Sequence, residues 1–134
     1  MASNMPYVQV AAFCARFALK PNRGITITKL IDTLFAWPAP AKGQFAIAPV
    51  SAVFGFKSEP GLSKRSVALF INTPSGRRSP LLTFSVDFEG HEKGPIAAMR
   101  MDLPVREEGV YWIDVTIGGV TLTKMPLRVV FQKP

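Results

Sequence analysis

Clusters of turn-forming residues recur along the whole chain, and their spacing constrains the fold more than any other feature. Lys20-Pro21-Asn22-Arg23-Gly24, Pro38-Ala39-Pro40-Ala41-Lys42-Gly43 and Ser58-Glu59-Pro60-Gly61-Leu62-Ser63 punctuate the first half. Asn72-Thr73-Pro74-Ser75-Gly76, Glu89-Gly90-His91-Glu92-Lys93-Gly94-Pro95, Arg106-Glu107-Glu108-Gly109 and Gly118-Gly119 punctuate the second. Glycine supplies positive φ, proline fixes φ near −65°, and turns need both. Eight apolar segments of about 7–13 residues remain between the clusters. Short apolar segments at such spacing predict an all-β sandwich or barrel.

Period-2 alternation supports strands wherever it can be tested. Leu82, Phe84, Val86 and Phe88 share one face, with Thr83, Ser85 and Asp87 on the other. Tyr111, Ile113, Val115 and Ile117 alternate with Trp112, Asp114 and Thr116, and Val67, Leu69 and Ile71 form a third row. Gly118-Gly119 between Ile117 and Val120 predicts a two-residue hairpin, because primed turns require positive φ. Tyr7–Leu19 is apolar on both faces, Phe13, Ala15 and Phe17 against Val10, Ala12 and Cys14, as in a strand covered on both sides. Ile25–Trp37 carries a helical stripe (Leu30, Ile31, Leu34, Phe35), but its run Ile25-Thr26-Ile27-Thr28 favours strand. Pro126 cannot donate to a ladder, so it predicts an edge strand or a bulge, with a register change there.

The length of 134 residues suits one domain, expected over residues 1–134. Leu, Ile, Val and Phe supply 40 of those residues, which excludes intrinsic disorder and provides a core without metal or disulfide staples. The expected architecture is all-β: an antiparallel two-sheet sandwich of about eight strands, immunoglobulin-like or C2-like. The C-terminal third, with Pro104-Val105, Glu108-Gly109-Val110-Tyr111, Ile113-Asp114-Val115, a Gly-bearing hairpin and Pro126-Leu127-Arg128-Val129, resembles an uncharacterised bacterial family of small single-domain β-sandwich proteins. The Ala-rich first strand, Gly24-Ile25-Thr26-Ile27 and the prolines after Phe35 extend the resemblance to nearly the whole chain. It implies a small antiparallel sandwich and supplies no activity or catalytic residues. The chain departs from that pattern in being unusually basic.

The N-terminus has no basic region followed by an apolar one, so no signal peptide is expected. The apolar stretch near Phe45–Phe56 is interrupted and falls short of the ~20 residues that span a bilayer. Cys14 is the single cysteine and reads as a small buried hydrophobe. The expected compartment is the cytoplasm, without membrane contact.

Catalysis needs converging groups, and few converge here. There is no G-x-S-x-G elbow, H-E-x-x-H, Walker loop or C-x-x-C. With one His and one Cys, neither a zinc site nor Cys–His catalysis is expected without help from another chain. Asp87-Phe88-Glu89-Gly90-His91-Glu92-Lys93 is the only mixed polar cluster, and it reads as a solvated loop before it reads as a cation site. No metal, cofactor or small-molecule substrate is expected, and the chain is read as no enzyme.

The net charge of +7 raises nucleic acid as a partner. Lys64-Arg65 and Arg77-Arg78 flank Ser66–Asn72 and would sit at opposite ends of a strand, roughly 23 Å apart. The other cations are dispersed, with no basic run and no helix to enter a groove. Charged residues are scarce, 25 of 134, and Trp112 points away from the core by alternation. Scarce charge, a two-sided apolar first segment and an outward Trp together predict surface hidden against another molecule. The expected function is a non-catalytic binding or assembly module, a homo-oligomer or a partner of another protein, with Phe13, Trp37 and Trp112 as interface residues. The alternative is an adaptor for nucleic acid or another polyanion through Lys64, Arg65, Arg77 and Arg78.

Overall fold

A computed structural model describes residues 6–20, 24–36, 40–58, 64–88 and 95–132. Among them it holds strands and no helix: β1 (Tyr7–Leu19), β2 (Ile25–Leu30), β3 (Thr33–Ala36), β4 (Ala46–Lys57), β5 (Lys64–Asn72), β6 (Arg78–Asp87), β7 (Ile96–Val105), β8 (Gly109–Ile117) and β9 (Val120–Phe131). They form two sheets, a smaller one in the order β2-β1-β4-β7 and a larger one in the order β3-β9-β8-β5-β6.

The predicted alternation places the core. Val67, Leu69 and Ile71 of β5 and Tyr111, Ile113, Val115 and Ile117 of β8 are buried on one face of the larger sheet. Val50, Ala52, Phe54 and Phe56 of β4 and Met101, Leu103 and Val105 of β7 are buried on one face of the smaller sheet. All belong to a single apolar cluster that also takes in Phe13 and Phe88. Phe54 and Phe56 approach Phe84 at ring centroid distances of 5.6 and 6.5 Å, so the clusters of both sheets meet through aromatic rings. Each fully buried side chain of this size contributes ~1.5–3 kcal/mol by leaving water.

The β8–β9 hairpin turns on Gly118 and Gly119, with φ of 59° and 80°, as the sequence predicts. Ile25–Trp37 is strand, and the favoured reading holds over its described part. It is, however, two strands rather than one, which raises the count to nine. Lys29 takes a φ of 58°, a region that costs a non-glycine residue energy, and Ile31-Asp32 then carries the chain from one sheet to the other. This crossing makes β3 run parallel to β9, so the arrangement is antiparallel in every pair but that one.

Pro126 requires a correction. It pairs with Trp112 in unbroken register, and the irregularity lies instead between Val115 and Thr116, where Leu122 is the extra residue of β9. The edge half of the expectation stands locally, because β3 pairs with β9 only from Arg128 onward. Pro49 obeys the same logic in β4: β1 pairs only as far as Ser51, so the missing N–H falls where β4 has lost that neighbour.

Candidate functional site

The loop before β8 is built by side chains acting on backbone. The buried Tyr111 hydroxyl accepts from the N–H groups of Arg106 and Glu107, both at 3.2 Å, and donates to the Glu107 carbonyl at 2.7 Å. Glu107 accepts from the Ser75 N–H at 3.1 Å, and Glu108 from the Phe131 N–H at 2.7 Å. Gly109 has a φ of 134°, and a Cβ there would lie 2.8 Å from the Pro74 ring. No larger residue fits that approach. These two glutamates look like solvated turn residues in the sequence, yet each closes a contact with a distant segment.

The outer face of the larger sheet buries a carboxylate. Asp114 is 4% exposed, and its Oδ2 accepts from Arg78 Nε at 3.3 Å. The same guanidinium stacks 4.0 Å over the Phe70 ring, and Asp114 lies beside Phe70 and Lys124 in the ladders. Asp114 Oδ1 is buried with no hydrogen-bond partner among the described residues. Thr116, also buried, donates to the Ala68 carbonyl at 2.9 Å. Alternation predicts this face as polar; what it misses is that the face buries its own charge.

The structure separates the basic residues. Lys64 and Arg65 begin β5, while Arg77 and Arg78 lie at the other end of the β5–β6 hairpin, where Asn72 pairs with Arg78. Arg78 is committed to Asp114 and Phe70, and Arg65 has an interaction of its own within the chain. The four residues do not converge.

The interface residues divide in the same way. Phe13 is 3% exposed and faces the chain's own core, so it serves the fold and is not available as an interface residue. Trp37 lies outside the described residues. Trp112 points outward and is 44% exposed, as alternation predicts. Glu89–Lys93 of the mixed polar cluster also lies outside the described residues. Among the described residues, no three His, Cys, Asp or Glu side chains gather as a metal site would require.

The opposite face of β1 is the informative one. Val10 pairs with Gly55, which pairs with Ile96, and Ala12 pairs with Val53, which pairs with Ala98. Partners in a ladder share a face. The outer face of the smaller sheet therefore presents Val10, Gly55, Ile96, Ala12, Val53 and Ala98 together, with Tyr7 at its margin. None of these six carries a charge or a polar side chain, and Lys57, the ladder partner of Tyr7, bounds them on the same face. Val10 and Ile96 are exposed, as is Tyr7, whereas Ala12 and Ala98 are half-buried and Val53 and Gly55 are buried.

Beyond these rows the same face changes character. Cys14 pairs with Ser51, which pairs with Arg100, and this row lines a recess of 330 Å3 where the chain leaves β2 for β3. Lys29 lines it from the other side, and Ile31, Leu34 and Phe35 supply apolar wall. Burial in this row pushes the Cys14 thiol up from its ordinary pKa, against a smaller opposing effect of a backbone hydrogen bond at Arg16. A thiol held neutral is a poor nucleophile, which agrees with the packing role read for it.

Two sheets, one shared apolar cluster and two unlike outer faces define the chain as an all-β protein. Its likeness to solved structures is of that same kind. It is similar to the alkylpurine DNA glycosylase AlkC of Pseudomonas fluorescens, solved bound to DNA containing an abasic site analog, at a TM-score of 0.51 and 12% identity. That match covers 92% of this chain and 30% of the glycosylase, so the chain spans under a third of that protein's length. It is also similar to an immunoglobulin-like protein of Pseudomonas aeruginosa at a TM-score of 0.49 and 11% identity, covering 94% of this chain and 97% of that one. β-Glucosidase 3B from Thermotoga neapolitana in complex with glucose matches at a TM-score of 0.46 and 13% identity, over 63% of this chain and 15% of the enzyme. At these identities the likeness is one of fold. No family model matches the chain, and no curated protein matches it. No helix among the described residues is long and apolar enough to cross a membrane.

Proposed function

We propose that the chain is a non-catalytic binding and assembly module that pairs with a second copy of itself through the outer face of the smaller sheet. Its sheets pack as a sandwich of immunoglobulin-like or C2-like style, and it works in the cytoplasm, where a lone buried Cys14 stays reduced. The sandwich reading is supported by the shared cluster and by the Tyr111 hydroxyl. Its bonding back to backbone a few residues upstream is the tyrosine-corner arrangement of such sandwiches.

The observation that carries self-association is the uncharged patch of Val10, Ala12, Val53, Gly55, Ile96 and Ala98. Short side chains make this face flat, and flat sheet faces stack at roughly 10 Å with their strands nearly aligned. A two-fold axis sets the patch against itself, the commonest way a chain of this kind closes an assembly.

Sedimentation equilibrium across a concentration series tests the reading. The expected result is a particle of twice the 14.7 kDa chain mass that returns to 14.7 kDa in Ala98→Glu. A 14.7 kDa particle at every concentration sinks it. The polyanion reading keeps one observation in its favour, the net charge of +7. Under it, Lys64→Gln with Arg77→Gln would release the chain from heparin at physiological salt and leave its mass unchanged.

A further inference from the structure

The recess beside β2 has a chemistry unlike the patch next to it. Two cations line it, Lys29 and Arg100, and no carboxylate does. Among the described residues neither has an ion pair. Two acids stand at its edge without lining it: the Asp32 carboxylate accepts from the Thr33 hydroxyl at 3.1 Å, and Asp102, the next outward position after Arg100 on β7, stands opposite Pro49. Ser51 brings a hydroxyl to the same row as Arg100. The remaining wall is apolar, with Ile31, Leu34 and Phe35, and Phe35 is exposed.

The backbone supplies an independent observation. Lys29 is the only described non-glycine residue with positive φ. A lysine has no local reason to adopt it, since only Asn, Asp and Gly do so cheaply. Strain of this kind persists where the surroundings hold it and concentrates at binding sites. Here it occurs at one of the two cations of the recess.

We infer that this recess binds a small organic anion, an oxyanion head carried on an apolar body. Lys29 and Arg100 hold the head, the Ser51 hydroxyl donates to it, and Ile31, Leu34 and Phe35 cover the body. The volume of 330 Å3 lies at the lower end of small-molecule sites, which suits one ring or a short chain. Arginine provides paired donors for a carboxylate or phosphate and lysine a point charge. This site adjoins the self-association patch but shares no residue with it, so the titration is run on Ala98→Glu as well as on wild type and a failure of pairing is read apart from a failure of binding.

Titration of the 15N-labelled full chain with phenyl phosphate, followed by amide chemical shifts and by calorimetry, tests it. Benzoate and inorganic phosphate are the comparison arms. The expected result is saturable binding of phenyl phosphate and benzoate with a Kd of about 1 mM or tighter, with shifts confined to residues 14–15, 29–35, 49–51 and 100. Inorganic phosphate, lacking the apolar body, binds at least about tenfold more weakly. Lys29→Gly and Arg100→Gln each weaken phenyl phosphate about tenfold. Lys29→Gly is informative because glycine takes that φ without strain, so the fold is kept or improved while the ligand is lost. No saturable shift up to about 10 mM overturns the inference, as does undiminished binding in both variants. Shifts that follow Lys64 and Arg77 instead overturn it too, since they report only the general positive field. Equal binding of inorganic phosphate overturns the apolar-body part.

Discussion

The two sheets finish their outer faces in opposite ways. On the larger sheet, Asp114 sits under Arg78 and Phe70, and the glutamates of the loop before β8 tie that loop to the β5–β6 turn and to the end of β9. On the smaller sheet, the face holds Val10, Ala12, Val53, Gly55, Ile96 and Ala98, of which Val53 and Gly55 are buried while Val10 and Ile96 stay exposed. A face closed by its own long polar side chains is complete within the chain. A face of short apolar ones leaves Val10 and Ile96 open to solvent, which is the ground of the proposed pairing. The difference teaches that polarity in the sequence is a poor guide to which positions are covered: Asp114 and Thr116, which read as polar, are buried, while Val10 and Ile96, which read as apolar, are exposed.

If that contrast holds, substitutions of the groups that close the larger sheet should be costly, and substitution of Ala98 on the outer face of the smaller sheet nearly silent. The largest effect is expected for Gly109→Ala, which forces a strained φ and drives a methyl into Pro74. Urea denaturation should show a loss of about 3 kcal/mol. Tyr111→Phe strands two backbone donors and one carbonyl, for a loss of about 2 kcal/mol by the same measurement. A loss below about 0.5 kcal/mol would mean that water replaces the hydroxyl and the loop is not locked. Arg78→Ala leaves Asp114 buried without its cation. The Arg78 side chain is 48% exposed, so solvent screening limits the loss to about 1 kcal/mol. On the other sheet, Ala98→Glu should shift monomer stability by less than about 0.5 kcal/mol at high dilution while abolishing association. A large loss of monomer stability there would break the contrast.

The smallest effect concerns Cys14, where the two regions of the outer face meet. Burial raises its pKa in the folded chain, so folding favours the neutral thiol. The stabilisation is complete below the ordinary thiol pKa of ~8.5 and is lost as pH rises through the raised folded value. Wild type minus Cys14→Ala should therefore fall in stability only on the alkaline side. Iodoacetamide at pH 8 should label Cys14 slowly, because the thiol is 1% exposed behind the recess wall; rapid labelling would show that the recess reaches the sulfur itself.

What the residues reveal on their own follows the range of the interaction. The hairpin at Gly118-Gly119 depends on adjacent positions, and the strand rows depend on period 2, so both are legible. The two-sided character of β1 is also visible, although its bulge between Val8 and Val10 is not. The division of Ile25–Trp37 is hidden because no glycine or proline marks it; the turn is made at Lys29, whose side chain gives no hint of positive φ. Arg78 meeting Asp114, and Glu107 meeting Ser75, join segments that only the sheet order brings together. Phe13 fails as an interface residue because parity along a strand gives two faces but not which of them is inward. Of the candidate site, the recess was invisible: its two cations stand 71 positions apart, 100 minus 29, on strands that only β4 and β1 connect.

The parallel pairing of β3 with β9 carries a consequence for how the chain is made. The larger sheet has its last strand in an interior position, between β3 and β8. During synthesis β3 emerges early and has no partner until Arg128–Phe131 follows it, nearly the whole chain later. Leu127 and Val129, both fully buried, arrive in the same final stretch. Closure of such distant pairs is slow, and the waiting strand edge is open to neighbouring nascent chains. The larger sheet thus cannot close around β3 until Arg128–Phe131 has been made, and it is in that interval that a crowded cell has most opportunity to misassemble the chain.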